Sequence, residues 1–246
     1  IFDPRTRAFE FHPVGADGIY PHTLRFDAGG VLWFTLALSN QIGRMDVGRG
    51  EIRLIDLPSN GFWRWLADAM LPAILEVSSW FGKRDLYVQL SHHKLSGEGH
   101  AIFNLPYGLD IDPVDGSVWY SKLYADRIGR VDPRTLEVEE MATPHGGPRR
   151  MRFAADGTLW IPSFNAGVLM RFDPRTRRFT GDYPLPTLDA GEFETPYALN
   201  VHPVTGDVWI TGNLSDRMLR FEPASGRFYA YPSPTRTTFA RDVIFT

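Results

Sequence analysis

The sequence contains no cysteine, so neither a disulfide nor a thiolate metal site can form within it. It also lacks a strong excess of charge: the formal net charge is −3, and no basic stripe favours nucleic-acid binding. Low-complexity tracts are absent, and 246 residues with 43% hydrophobic composition suffice for a substantial core. A globular protein is expected. The first residues show no signal-peptide pattern, and bacterial cytoplasm and export both stay open.

One pattern recurs four times: a tryptophan, an arginine eleven residues later, and an acid two residues after that. The four sets are Trp33, Arg44 and Asp46; Trp119, Arg130 and Asp132; Trp160, Arg171 and Asp173; and Trp209, Arg220 and Glu222. Around each set lie four short β-rich runs with turn signals between them. Four antiparallel strands in a unit of about 40 residues are typical of a β-propeller blade.

The predicted fold is therefore all-β, a single propeller domain over 1–246 with four full blades, partial terminal blades and one helical insert. Residues 2–6 repeat the pattern of 172–176, so the chain is expected to begin in the back half of a blade. Residues 239–246 resemble the first strand of another blade. We expect a fragment of a six- or seven-bladed ring, seen as an open arc with unpaired edge strands near both ends.

The insert at 59–104 separates the first two repeat tryptophans, which are 86 residues apart. Its first half predicts a helix, because apolar residues recur at helical spacing. That apolar face consists of Phe62, Leu66, Met70, Ala73, Val77 and Trp80. Pro72 is expected to kink or divide the helix. A cap packed over the blades is the first interpretation; a lid over the channel, or membrane contact through 61–81 with its tryptophans at the lipid boundary, are the alternatives.

The second half of the insert is rich in histidine. His92, His93, Glu98 and His100 lie within nine residues. Imidazole and carboxylate suit a divalent first-row ion. Two adjacent histidines on a strand point to opposite faces, however, and cannot both bind one ion. His92, Glu98 and His100 are therefore weak metal candidates, against a solvated loop.

The first strand of each blade lines the central channel of a propeller, and residues near its start face the channel mouth. The residue after the opening proline is polar or aromatic in every repeat. These positions are His22, Tyr107, Arg149 and Tyr197, with Arg241 equivalent but without the proline. They predict a ligand site, or side chains that fill the axis by stacking on one another. Of the pair Arg149 and Arg150, alternation along a strand allows only one to point down the channel, and the other is expected to form a surface ion pair.

The motifs P-x-G-[IL], LWFT, N-x-IGR and a closing strand that ends in LP resemble the virginiamycin B lyase (streptogramin lyase) family of seven-bladed propellers. The resemblance covers nearly all of the chain outside the insert. It implies a magnesium-assisted eliminative opening of a cyclic depsipeptide antibiotic, and hence antibiotic resistance, with histidines and glutamates at the channel mouth. His22 matches the family's Pro-His motif. No acid follows any repeat tryptophan by three or four places; Tyr197 replaces a histidine, and Glu194 stands one residue out of register.

These observations favour a lyase-like propeller that acts as a lyase or hydrolase on a cyclic ester or lactone. His22 would be the base, with Arg149, Lys122 or a metal ion as its electrostatic partner. The expected ligand contacts are Tyr107, Lys122, Tyr197, Asn213 and Arg241. The partner is a small molecule and a monomer is expected.

Two alternatives stay open. The first is a non-catalytic binding or sensor propeller that recognises its ligand through the Tyr, Arg and Asn side chains of the mouth. The second is a gluconolactonase-like, metal-dependent hydrolase, for which only Asn213 and the weak metal candidate Glu194 offer ligands.

Overall fold

A computed structural model describes residues 1–15, 18–80, 103–187 and 194–245. These ranges contain four four-stranded antiparallel sheets, a separate two-stranded ribbon and one α-helix. The ribbon pairs β1 (Phe2–Asp3) with β2 (Ala8–Phe9). The predicted all-β architecture with a helical insert is confirmed.

Each sheet is one blade, with its strands in sequence order from the inside outwards. Blade one comprises β3 (Pro21–Phe26), β4 (Val31–Leu36), β5 (Gln41–Asp46) and β6 (Glu51–Asp56). Blade two comprises β7 (Pro106–Ile111), β8 (Val118–Lys122), β9 (Arg127–Val131) and β10 (Val138–Ala142). Blade three comprises β11 (Arg152–Phe153), β12 (Leu159–Ser163), β13 (Val168–Asp173) and β14 (Arg178–Pro184). Blade four comprises β15 (Pro196–Val201), β16 (Val208–Gly212), β17 (Arg217–Glu222) and β18 (Arg227–Pro232).

The repeated tryptophan and arginine are direct cross-strand partners in all four blades. The pairs are Trp33 with Arg44, Trp119 with Arg130, Trp160 with Arg171, and Trp209 with Arg220. The eleven-residue spacing is therefore the length of one hairpin. In blade one the Arg44 guanidinium lies 5.7 Å from the centre of the Trp33 ring, close enough for a cation–π contact.

Three of these tryptophans fill the spaces between successive blades. Trp33 packs in a cluster with Leu109 and Tyr120 of blade two. Trp119 packs in the same way against blade three, and Trp160 against blade four. Trp209 is only partly buried and stacks on Tyr231 of its own blade, with ring centres 5.3 Å apart. The core thus lies between the blades, as in other repeat architectures.

The two ends of the chain do not share a sheet within the described ranges. The strand β2 pairs only with β1, and residues 239–245 form no strand. Instead, the C-terminal segment runs beside the inner strands, where Asn200 Nδ2 donates to the Val243 carbonyl at 2.8 Å. A ring of six or seven blades stays a prediction.

The insert contains one helix, α1 (Phe62–Trp80), which continues through Pro72 without division. Its orientation differs from the one that the sequence predicts. Most of the predicted apolar face is exposed, including Phe62, Met70, Val77 and Trp80. The side that faces the blades carries Arg64, Asp68 and the buried Leu71. Polar contacts to the blades, rather than the apolar stripe, therefore set which side faces inward.

Those polar contacts fasten α1 beside the channel mouth. Arg64 donates to the Tyr124 carbonyl at 2.8 Å in the turn after β8. The Asp68 carboxylate accepts from Ser59 Oγ at 3.0 Å and from Asn104 Nδ2 at 2.7 Å. Because β6 ends and β7 begins on the same face as the mouth, α1 lies on that face. No helix in the described ranges has the length and apolar character that crossing a bilayer requires.

Candidate ligand site at the channel mouth

A β-bulge opens the first strand of three blades and turns the residue after the proline away from the regular ladder. In β3, Pro21 pairs with Leu36 and Leu24 with Phe34, so two residues oppose the single Thr35. The same shift occurs in β7 and β15. Bulges commonly redirect side chains in this way. The residues that leave the regular cross-strand pairing at these bulges are His22, Tyr107 and Tyr197.

Hydroxyl groups tie neighbouring inner strands together just behind these residues. Thr35 Oγ1 accepts from the Thr23 amide at 3.0 Å and donates to the Tyr107 carbonyl at 3.3 Å. Ser121 Oγ donates to the Arg149 carbonyl at 2.8 Å. Gly108 is required in this approach, because a Cβ there would lie 2.3 Å from the Arg149 carbonyl oxygen. The mouth residues are thereby held on a rigid base.

Aromatic side chains from three blades meet at the mouth. The hydroxyl groups of Tyr107 and Tyr197 hydrogen-bond to each other, and both residues are buried. The His22 ring lies 4.0 Å from the Tyr107 ring, and its Nδ1 is 3.0 Å from Thr23 Oγ1. The sequence prediction that His22, Tyr107 and Tyr197 converge agrees with these contacts.

Arginine side chains cover this aromatic floor. The Arg149 guanidinium carbon lies 3.7 Å from the Phe164 ring centre and 4.8 Å from that of Tyr197. Its Nε is buried and has no hydrogen-bond partner in the described part of the chain. The guanidinium carbons of Arg150 and Arg241 lie 5.7 Å and 5.4 Å from the Tyr197 ring centre. Three positive charges therefore surround one tyrosine.

Arg150 forms the ion pair predicted for the second arginine, at 3.4 Å with Asp242, but the two side chains are only 19% and 38% exposed. It also approaches the Tyr197 ring, which strand alternation does not predict. Arg150 also donates to the Arg241 carbonyl at 3.2 Å. The first strand of blade three begins regular pairing only at Arg152, so its preceding residues need not alternate as in a ladder. Both arginines can thus approach the axis.

The local field favours neutral side chains. Burial, and then the charges of Arg150, Arg149 and Arg241, lower the pKa of His22 to about 4. Burial and the hydrogen bond to Tyr197 raise the pKa of Tyr107 well above its usual value. At neutral pH the mouth therefore presents the uncharged His22 imidazole and the uncharged Tyr107 phenol beside guanidinium groups.

An NMR titration should show this shift directly. We expect the His22 Cε1 proton to titrate with a midpoint near pH 4, instead of about 6.5 as in an unstructured peptide. Because the folded pKa lies below the unfolded one, stability from this site is lost as pH falls from 6.5 towards 4. An Arg150→Met variant should move the midpoint upwards. A wild-type midpoint near 6.5 would contradict the geometry of the site.

A second layer of polar residues, three of them charged, lies four places after each opening proline. Arg25, Asp110, Arg152 and Asn200 occupy it. Asp110 is 3.5 Å from Arg25 and accepts from the Phe153 amide at 2.7 Å. Burial raises the Asp110 pKa to about 6. Sequence reasoning missed this layer, although aligning the four inner strands on their prolines shows a polar residue at each equivalent place.

Other predicted contacts lie apart from the mouth cluster. Lys122 is fully buried, 2.6 Å from Glu140, and donates to the Pro58 carbonyl. Asn213 lies in the turn after β16, with a buried Oδ1 that has no partner among the described residues. Among the described residues, neither Lys122 nor Asn213 forms a hydrogen bond or ion pair with the arginines or tyrosines of the mouth. The structure therefore brings together five of the seven predicted catalytic and binding residues: His22, Arg149, Tyr107, Tyr197 and Arg241.

The described residues do not fit the magnesium ion that the family resemblance implies. Glu194 is buried with its carboxylate 2.7 Å from Arg217 Nε, and accepts from the Thr195 amide at 3.1 Å. No group of three or more His, Asp or Glu side chains suited to a metal occurs within the described ranges. The guanidinium groups at the mouth would also repel a cation. His92, Glu98 and His100 lie outside the described residues.

Comparison with solved structures identifies the architecture. The chain superposes on a streptogramin B lyase with a TM-score of 0.68 and 20% identity, over 98% of this chain and 63% of that one. Two structures of virginiamycin B lyase from Staphylococcus aureus are also similar. The selenomethionine form gives a TM-score of 0.65 and 19% identity over 90% of this chain and 58% of that one. A catalytically inactive variant with quinupristin gives 0.67 and 19% over 95% and 61%.

The chain thus spans about three fifths of the length of these propellers. No protein-family model and no curated protein sequence matches it. At this identity the likeness concerns the fold, and the chain has the β-propeller fold of the virginiamycin B lyase and streptogramin B lyase structures.

Proposed function

We propose that the channel mouth binds a small ligand with a carboxylate or an ester carbonyl, and that the protein is a lyase-like propeller acting on a cyclic ester or lactone. The proposal rests on the environment of the Arg149 side chain. Its guanidinium is held against Phe164 and Tyr197, and its buried Nε lacks a partner in the described part of the chain. A planar guanidinium in this setting suits the two oxygens of a carboxylate or a developing oxyanion.

The tyrosines supply neutral donors beside that charge. The hydroxyl groups of Tyr107 and Tyr197 hydrogen-bond to each other, which leaves one O–H free to donate. A ligand oxygen could accept that hydrogen bond. Because burial and the hydrogen bond to Tyr197 raise the pKa of Tyr107, the Tyr107 hydroxyl donates without ionising at neutral pH. The site can therefore stabilise negative charge without a metal.

His22 is the group that can accept a proton. Its pKa of about 4 makes it neutral at pH 7, although a weak base. An anionic ligand would offset the charges of Arg149 and Arg150, which lower that pKa, and so make His22 more basic when the ligand is bound. In an elimination, His22 would take the acidic C–H proton, the electron pair of that bond would form a C=C double bond, and the C–O bond would break with its pair left on the departing oxygen.

A non-catalytic binding propeller is the second candidate, and one observation favours it. The centre of the His22 ring lies 4.0 Å from that of Tyr107, and the contacts of His22 with described residues include no carboxylate that could orient it as a base. A gluconolactonase-like site has less support, because Arg217 holds the carboxylate of Glu194.

Two substitutions test the proposal with quinupristin and gluconolactone as probes. His22→Ala should abolish turnover and leave affinity nearly unchanged. Arg149→Ala should weaken binding about tenfold or more, because it removes a charge-assisted hydrogen bond. Isothermal titration and product analysis measure the two effects separately.

Arg134→Ala serves as the matched control, since Arg134 is 89% exposed in the turn after β9. It should change neither affinity nor turnover. Binding without turnover by the wild type would support the non-catalytic candidate. If a probe binds both His22→Ala and Arg149→Ala with the wild-type affinity, the mouth is not the binding site.

A further inference from the structure

A second cavity lies away from the axis, between α1 and the edge of blade one. It has a volume of about 640 Å³. Its walls include Asn40, Gln41, Asp56, Phe62, Trp65 and Asp68. No lysine, arginine or histidine is among the described residues that line it. The cavity is therefore acidic, in contrast to the arginine-rich mouth on the same face.

Two residues that line this cavity have buried amide oxygens without a donor among the described residues. Asn40 is 4% exposed, and its Nδ2 donates to the Leu57 carbonyl at 3.0 Å, which fixes the direction of the amide group. Its Oδ1 is buried and without a partner in the described ranges. The Gln41 Nε2 likewise donates to Asp56 at 2.8 Å, and its buried Oε1 has no described partner. Unpaired buried acceptors cost free energy unless a bound donor satisfies them.

Carboxylates and aromatic rings complete the lining. Asp68 is partly buried between Ser59 and Asn104, and burial raises its pKa. The charge of the buried Lys122 offsets that desolvation only in part, and a bound positive charge would offset more of it. On the α1 side, the Phe62 and Trp65 rings lie 5.9 Å apart and are more than half exposed. They offer an apolar surface and ring faces for a cation.

We propose that this cavity binds an organic cation: a primary ammonium group on an apolar or aromatic body. An ammonium group has three donors and no acceptor, which matches the free oxygens of Asn40 and Gln41 beside the carboxylates of Asp56 and Asp68. The rings of Phe62 and Trp65 then cover the apolar body of the ligand. An anion would be repelled by the carboxylates of Asp56 and Asp68, and a neutral alcohol brings a single donor. The described lining also lacks the three or more His, Asp or Glu side chains of a metal site.

Phenethylamine is a suitable probe, with 2-phenylethanol as its neutral counterpart. In the wild-type chain, phenethylamine should shift the Trp65 indole N–H resonance in a saturable way, and a Trp65→Phe variant assigns that resonance. The affinity for 2-phenylethanol should be lower by a factor of about ten or more, because this alcohol cannot form the charge-assisted hydrogen bonds. Equal affinity for the two probes, or no saturable shift with the amine, would overturn the proposal.

Variants locate the site. Asp68→Asn should weaken phenethylamine binding about tenfold, and Gln41→Met should weaken it several-fold while sparing the contacts that hold α1. Asp115→Asn is the matched control, because Asp115 is an exposed acid of blade two that pairs with Arg130 at 3.4 Å. It should leave binding unchanged. If affinity is unaffected by both Asp68→Asn and Gln41→Met, the amine binds elsewhere and the assignment is wrong. This outcome is independent of the channel mouth, which Arg149→Ala tests.

Discussion

Replacing Trp119 with alanine should lower the free energy of unfolding by about 3–5 kcal/mol, the usual loss for a buried tryptophan. Trp119 is 1% exposed and packs among residues of blades two and three, with its ring centre 5.3 Å from that of Phe172. The substitution would therefore open a cavity between two blades rather than within one. Urea unfolding, followed by circular dichroism, gives the midpoint and slope from which the loss is calculated.

Trp209 provides the comparison, because it occupies the same repeat position but is only partly buried. Trp209→Ala should cost about 1–2 kcal/mol, within the ordinary range for a single substitution. Similar losses for the two variants would mean that burial between blades does not determine the contribution of the repeated tryptophan.

Replacing Lys122 with methionine should destabilise the protein by about 3–5 kcal/mol, because it leaves a buried carboxylate without its charged partner. The side chains of Lys122 and Glu140 are 0% and 5% exposed and lie 2.6 Å apart. Glu140 also accepts from the Tyr120 hydroxyl at 2.7 Å and from Asn60 at 3.0 Å. The pair joins blade two to the start of the insert.

A nearby surface pair makes a close control. Arg177 and Glu139 are also 2.6 Å apart, but their side chains are 54% and 48% exposed. Arg177→Met should cost at most about 1 kcal/mol, since water already solvates both charges. Adding Glu140→Gln to Lys122→Met should recover part of the loss by removing the unpaired charge. Equal effects of Lys122→Met and Arg177→Met would refute the role of burial.

The blades were predictable from the sequence, since the Trp and Arg spacing is the register of one hairpin and recurs unchanged. The helix of the insert was predictable, but the side that it buries was not. Six apolar positions at helical spacing favour packing of Phe62 and Val77 against the blades, yet both are exposed. The hydrogen bonds of Arg64 and Asp68 to distant loops decide the orientation, and their partners cannot be found by helical periodicity.

The channel mouth could be predicted as far as one position per blade. Aligning the inner strands on their prolines finds His22, Tyr107 and Tyr197, because the bulge places that residue alike in each blade. Phe164 and the position of Arg150 depend on contacts between blades, which no spacing within a repeat contains. Lys122 was expected at the mouth by its distance from Trp119. Residues at the start of the insert cover that place, and Lys122 pairs with Glu140 of β10.

Because of the bulges, the residues that can contact a ligand at the mouth differ from the residues that hold the blades together. His22, Tyr107 and Tyr197 stand outside the regular cross-strand pairing, whereas Leu24 and Leu109 resume it. Substituting these bulge residues therefore leaves the cross-strand hydrogen bonds and the packing between blades in place. The same scaffold can acquire a different chemical preference by a few substitutions at the rim. Positions 22, 107, 149 and 197 are the natural choice for a combinatorial library that redirects this propeller to new ligands.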